Sequence, residues 1–272
     1  MGVIQDSPIV SIIIPCYNTG EYLFEAIQSV IDSGFKEYEM IIINDGSSEK
    51  ETLDILNKLD YPKTKIIHQE NKGLSAARNV GVQNSIGEIL FFLDSDNRVK
   101  KGYFEKALAH FSSDSTIGVV YAKPFFFGDS TEIRFKVKPF NFNALLAGNF
   151  IDACSFVRRA TFFEVDGFDE DRRIKISEDW DFWVRIALTN WKFKMIDEPL
   201  FEYRIRKNSL IGEKDQAKID STLNYLGAKH GALIHKKYRQ YFRIMDQLQS
   251  KPFSYFFRII YHRYVLRKPF IK

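Results

Sequence analysis

Short apolar runs and amphipathic stretches take turns along the first hundred residues. Residues 8–14, 40–43, 65–68 and 89–93 are runs rich in β-branched or aromatic side chains, the first stopped by Pro15, and each predicts a strand. Between the first two, residues 21–33 place apolar side chains at Leu23, Ala26-Ile27 and Val30-Ile31, the period of a helix with one buried face. Helices are predicted at about 49–59 and 75–84 as well. Strands that alternate with helices imply right-handed crossovers and a mostly parallel sheet, whose strands read as unbroken apolar runs because both faces are covered. Beyond residue 100 the pattern predicts a helix near 103–111, strands at 118–123 and 132–137, a turn at 165–170 and a helix from 178 to 188 that opens with acidic residues.

Composition narrows the class. The 272 residues are 45% hydrophobic and 15% aromatic, enough for one large domain or two small ones and too apolar for a disordered chain. Cys16 and Cys154 stand far apart with no ligand partner at short spacing, which argues against a disulfide framework or a zinc site and for a reducing setting. The five histidines show no ligand spacing. No leader pattern and no apolar run of membrane-spanning length occurs, and Asp6 at the sixth position argues against myristoylation at Gly2, so a cytoplasmic location is expected. The formal charge of +4 is unevenly spread: residues 229–272 hold 11 Lys or Arg against one acid, Asp246, for +10, which leaves the rest of the chain at −6.

The candidate chemistry sits at strand ends. Asp94-Ser95-Asp96 follows the run 89–93 directly, at the carboxyl end of a strand expected to be fully buried. Open parallel sheets bind ligands in that crevice, and two carboxylates one residue apart there can hold a divalent cation against a diphosphate. The bare pattern has little specificity, since Asp169-Glu170-Asp171 and Asp179-Trp180-Asp181 repeat it, but only the first ends a buried strand. Dinucleotide binding is disfavoured because 15–20, Pro-Cys-Tyr-Asn-Thr-Gly, carries a single glycine, and a Walker-type phosphate loop is missing too.

Five motifs occur in order: 10–18 (VSIIIPCYN), 43–48 (INDGSS), 71–79 (NKGLSAARN), 92–96 (FLDSD) and 177–181 (SEDWD). Together they closely resemble the GT-A-fold, family 2 inverting glycosyltransferases, over residues 10–181, and the likeness fades through 203–206. The resemblance implies an α/β GT-A fold, Rossmann-like with a mostly parallel central sheet, and a C-terminal helical extension. It implies that Asp45 accepts a hydrogen bond from the pyrimidine ring of the donor; a carboxylate there selects the imide N–H of uracil or thymine. The alternative is an Asx-turn made by Asp45 before Gly46. Tyr17 would stack on or flank the same base, Arg78 would reach the nucleotide with its fork, and Pro15, Asp94 and Ser95 would complete the nucleotide-binding set. Without its flanking motif, Arg78 would read as a surface arginine on a solvated helix face, and Lys72 is a weaker contributor. Asp96 would contact a divalent cation, Mn²⁺ or Mg²⁺, with Asp94 nearer the ribose or bound through water. Asn97 stands where many relatives have another aspartate, which lowers the negative charge available to the metal. Asp179 would be the base and Glu178 would orient it or contact the acceptor; the alternative is that both only stabilise a helix N-terminus. Trp180 and Trp183 are either a sugar platform or core.

The implied reaction is the transfer of one sugar from a UDP- or dTDP-sugar to a glycan or lipid-linked acceptor in surface polysaccharide assembly. The Gln-x-x-Arg-Trp motif and the membrane spans of processive synthases are absent, so a single addition is expected. The division expected is 1–97 for the nucleotide-sugar half, 98–212 for the acceptor half, and 213–272 for a basic, aromatic helical extension. Two rivals stay open: a nucleotidyltransferase, which would want the missing glycine-rich loop, and a non-catalytic protein that binds membrane or nucleic acid through its basic tail. The aromatics among 253–266, interleaved with Arg258, Arg263, Arg267 and Lys268, suit an anionic membrane interface and equally suit a helical core or an oligomer contact. No nucleic-acid motif accompanies them, and nucleic acid is not expected as a partner.

Overall fold

The computed structural model describes residues 7–174, 176–206 and 216–267. Its first half is the alternating unit the apolar runs predict: β1 (Val10–Cys16), α1 (Gly20–Ser33), β2 (Tyr38–Asp45), α2 (Lys50–Lys58), β3 (Thr64–Gln69), α3 (Leu74–Gln83) and β4 (Ile89–Phe92). These four strands are parallel, in the order β3-β2-β1-β4. Every residue of β1 and β4 is buried, as helices on both faces require. Pro15 does not stop β1. Ile13 accepts from Leu93 N on the β4 side, so Pro15, two residues on, turns its missing N–H to the same side, past the last β1–β4 pair, Ile13 with Phe92.

The second half adds β5 (Arg98–Val99), α4 (Tyr103–Ser113), β6 (Ile117–Gly128), α5 (Phe142–Ala147), β7 (Phe156–Arg158), α6 (Arg159–Glu164), α7 (Glu178–Ala187) and β8 (Lys192–Ile205). The eight-stranded sheet runs β3-β2-β1-β4-β7-β6-β8-β5. Here β7 is antiparallel to both β4 and β6, β6 and β8 are parallel, and β5 is antiparallel to β8. Successive residues of β4 anchor opposite faces. Phe91 stacks on Phe156 at 4.3 Å and meets Tyr103 and Phe104 edge-on, while Phe92 meets Phe168 edge-on at 5.0 Å. Phe168 in turn stacks on Phe182 of α7 at 4.2 Å.

A further expectation needs correction. Residues 132–137 form no strand. Their apolar alternation puts Phe135 against Phe126 and Tyr203 at 5.4 and 5.5 Å, and the carbonyl of Lys138 accepts from the Tyr121 hydroxyl at 2.8 Å. The segment is held by side chains, so alternation there reports one-sided burial without a hydrogen-bond ladder. The ladder position goes instead to β8, whose pairing with β6 carries register shifts around Lys123, the partner of Pro199.

The chain separates into two compact units, one up to Leu223 and one from Asn224. The C-terminal part is helical: α8 (Gln216–Ser250) leads to α9 (Pro252–Ile260), which continues into a π-helical turn, Tyr261–Val265.

Candidate active site

The loops after β1, β2 and β4 are laced together at the carboxyl edge of the parallel strands. Asn18, at φ +52°, donates its N–H to Ser47 Oγ, and its Oδ1 accepts from the N–H groups of Ser48 and Glu49 at 2.9 and 3.1 Å, so it satisfies donors at the start of α2. Thr19 Oγ1 and Ser95 Oγ share a hydrogen bond of 2.7 Å, which ties the β1 loop to the acidic motif. Pro15 is buried at the end of β1, and Tyr17 beside it is 50% exposed.

Asp45 is buried, and its bonds run to the end of β3 and the entry of α3: Oδ1 accepts from Gln69 Nε2 at 2.7 Å and Lys72 N at 2.8 Å, and Oδ2 from Gly73 N at 2.8 Å. It makes no Asx-turn. The local side-chain bond in this turn is made by Asn44, whose Oδ1 accepts from Ser47 N, three residues on, at 2.9 Å. Lys72 meets Asp45 through its backbone, with its side chain exposed.

Arg78 is 1% exposed, so it is not on a solvated face. Its two terminal nitrogens pair with Asp94 Oδ1 and Glu178 Oε1, each at 2.7 Å, and the guanidinium lies 5.2 Å from the centre of the Phe168 ring. Burial alone would lower its pKa; Asp94 and Glu178 reverse the sign and hold it raised. One side chain from α3 thus joins the end of β4 to the first turn of α7, across 100 residues of sequence. The next residue, Asn79, fixes the floor beneath it. Its Nδ2 donates to Phe168 O at 2.9 Å and to Glu170 Oε1 at 2.8 Å, and its Oδ1 accepts from Phe168 N at 2.9 Å. Gly167 is required in this turn: its φ is +68°, and a Cβ there would lie 2.7 Å from Asn79 Oδ1.

Asp96 pairs with Arg206 Nε at 2.9 Å, and its carbonyl accepts from Arg204 Nε at 2.9 Å. Asn97, at the position of the family's extra aspartate, is buried and accepts from Arg204 N at 2.9 Å, fastening the end of β8 to the motif. At the start of α7, Asp179 accepts from Trp180 N at 2.7 Å and from Asn149 Nδ2 at 2.8 Å. Trp180 and Trp183 donate their indole N–H groups to Leu145 O and Ile151 O and so pin the 145–151 segment to α7. Trp183 is fully buried and belongs to the core, while Trp180 is half-buried. Asp181 is buried and pairs with Arg185 one turn on.

The electrostatics show a pocket with excess negative charge. Burial and then Asp94 push Asp96 up to about 6 against the opposing pull of Arg206. Burial and then Asp94 push Asp152 up to about 7, with Asp96 adding and Arg78 subtracting. Asp179 is held well above the carboxylate range by burial, then by Glu178 and Asp152. Glu178 is raised by burial despite its bond to Arg78. Tyr203 is raised by burial and then by the fields of Asp152, Asp94, Asp96 and Asp179, so it reports the convergence of four carboxylates. No motif surrounds Asn149 and Asp152 in the sequence, and Arg206 stands where the family likeness fades; their place in the fold brings them here.

The donor set suits a divalent cation that arrives with a ligand. Asp94 and Asp96 each give one oxygen to an arginine and keep the other, and their pocket carries more negative charge than its arginines balance. Among the described residues no three His, Cys, Asp or Glu side chains are arranged to hold a metal by themselves. One or two carboxylates completed by substrate phosphates is a usual magnesium arrangement.

Comparisons with known proteins agree with this geometry. Residues 11–167 match the family described as Glycosyl transferase family 2. GlyA, a glycosyltransferase of Streptococcus pneumoniae serotype 4, is 30% identical over 220 residues, which cover 74% of this chain and 31% of GlyA. EpsJ, an uncharacterized glycosyltransferase of Bacillus subtilis, is 31% identical over 75% of this chain and 63% of its own length. GgaB, a minor teichoic acid biosynthesis protein of the same organism, is 28% identical over 73% of this chain and 23% of GgaB, so the chain spans under a third of GlyA and of GgaB. The fold matches S. aureus TarS 1–349 in complex with UDP-GlcNAc with a TM-score of 0.64 at 19% identity, covering 82% of this chain and 72% of that one. The sheet with its antiparallel β7 insertion and the ordered motifs therefore have one common explanation: the chain belongs to glycosyl transferase family 2 and has the GT-A fold.

Proposed function

We propose that the protein is an inverting glycosyltransferase that moves one sugar from a uridine or thymidine diphosphate donor to a glycan or lipid-linked acceptor during surface polysaccharide assembly. The Arg78 bridge between Asp94 and Glu178 carries this reading, because it sets a phosphate-side pair of carboxylates beside a second acidic group at a helix start. Inversion needs a leaving diphosphate and an attacking hydroxyl on opposite faces of one sugar, both served from one pocket. The naming of GgaB for teichoic acid biosynthesis and the TarS complexes with UDP and UDP-GlcNAc support the donor and acceptor classes.

In this reading Asp179 takes the proton from the acceptor hydroxyl. Its raised pKa makes it a stronger base than an ordinary carboxylate, and Asn149 with the Trp180 N–H fixes its two oxygens. Glu178 positions that turn through Arg78. Asp94 and Asp96 would hold a divalent cation, which when bound offsets the charge of the diphosphate and stabilises it as leaving group. Asp45 Oδ2 carries one internal bond and keeps acceptor capacity for the imide N–H of uracil or thymine, with Pro15, Tyr17 and Ser95 around the same crevice. A lipid-linked acceptor fits a peripheral position at a membrane face. The configuration of the first sugar product from an α-linked UDP-sugar, formed by transfer or by slow donor hydrolysis and read by proton NMR, tests inversion. A β product is expected; an α product contradicts it.

A further inference from the structure

The C-terminal unit carries an apolar face that the glycosyltransferase site does not use. α9 has two distinct sides. Tyr255 is 5% exposed, and Ile259 and His262 follow at i+4 and i+7 half-buried, so this side packs inward. At 100° per residue, the opposite side presents Phe253, Phe256, Phe257, Ile260 and Tyr264, all exposed, with Phe253 at 80% and Phe257 at 67%. The recurrence at i, i+3/i+4, i+7 and i+11 makes one continuous stripe through α9 and the π-helical turn. Helices of water-soluble proteins rarely leave so many large rings together in water.

Charge decides between occupants. Arg263 borders the stripe, and Lys251 and Arg267 stand at its two ends, within a segment of +10. Two copies of such a segment repel each other, whereas an anionic lipid surface attracts each one. Among the described residues no helix is long and apolar enough to cross a membrane, so a stripe on one side of α9 suits a helix lying in the interface. We propose that α9 and the Tyr261–Val265 turn dock on an anionic lipid membrane, with Phe253, Phe257 and Tyr264 inserted at headgroup depth and the flanking basic side chains on the lipid phosphates. This docking does not depend on the donor site, and its test needs neither donor nor acceptor.

The full-length protein is co-sedimented with vesicles of equal parts phosphatidylcholine and phosphatidylglycerol, and with phosphatidylcholine alone. Binding to the mixed vesicles is expected, weaker on the neutral ones and weaker again in about 1 M salt, where screening is strong. The double variant Phe253→Ser/Phe257→Ser changes only exposed side chains and should lose at least about tenfold in partitioning at unchanged circular dichroism. Arg263→Gln/Arg267→Gln should lose binding to the mixed vesicles selectively. Wild-type and Phe-variant proteins that partition equally, or no binding by either, overturn the proposal. Self-association of the wild type that the Phe variant abolishes, with vesicle binding unchanged, would assign the face to a second copy.

Discussion

Replacing Arg78 with methionine removes the guanidinium buried between Asp94 and Glu178 and keeps most of the side chain's volume. Breaking a buried ion pair by deleting one partner costs roughly 3–5 kcal/mol, since the remaining charges stay buried without compensation. Asp94 is 28% exposed and solvent screens part of its charge, which favours the low end, about 3 kcal/mol. For a unit of this size each 1 kcal/mol moves the melting temperature by roughly 2–4 °C, so a drop of about 6–12 °C is expected near pH 8. The loss should shrink in acid. Without Arg78 the neighbouring carboxylates, Glu178 and Asp152 among them, lose a partner that favours their charged form, and their folded pKa values rise further above the unfolded ones. The folded variant then binds more protons than the unfolded chain between about pH 4 and the raised values, so its stability falls as pH climbs through that window. Thermal unfolding of wild type and variant at pH 5 and pH 8 measures both effects. A drop under about 2 °C, or the same drop at both pH values, would refute the idea that Arg78 neutralises this pocket.

Asp179→Asn should lower turnover by at least about a hundredfold while donor affinity measured by calorimetry stays within a few-fold, because a base acts on the acceptor hydroxyl; turnover near wild type would move the base elsewhere. The wild-type kcat/KM should rise with pH through a step above the ordinary carboxylate range, as the raised pKa of Asp179 requires. Asn149→Ala, which removes a donor to the charged form, should move that step upward, and an unmoved step would separate Asn149 from the base. Gly167→Ala should cost roughly 1–3 kcal/mol, from positive φ and the clash with Asn79, read as a fall in melting temperature.

The legibility of this chain follows burial and range. β1 to β4 begin and end within about two residues of the runs that predict them; the runs of β1, β2 and β4 are buried, while β3, at the sheet edge, is partly exposed and keeps Ile66-Ile67 as its signal. β8 is hidden for the opposite reason: Lys192, Lys194, Asp197, Glu198 and Pro199 break its apolar pattern around a bulge in which β8 carries residues 197, 198 and 200 unpaired against β6. Residues 132–137 carry the alternation of a strand and lack a free ladder to join. At the site, Asp94, Asp96, Glu178 and Asp179 stand out in sequence because local motifs frame them. That Arg78 binds Asp94 and Glu178 together is invisible there, since the partner 100 residues away leaves no mark on the local pattern. Asn149 and Asp152 sit in a segment pinned to α7 by two indole N–H groups, a constraint that the local sequence does not carry.

The central claim is that a nucleoside diphosphate binds at the end of β4 with Asp94, Asp96 and a divalent cation. Titration of UDP into the protein by calorimetry, with Mn²⁺ and again with excess chelator, tests it most directly, alongside the same titrations on Asp96→Asn. The account predicts binding with Mn²⁺, a loss of at least about tenfold in chelator, and no cation dependence left in Asp96→Asn. UDP that binds wild type equally well in chelator, or an Asp96→Asn variant that keeps the full cation effect, would contradict it.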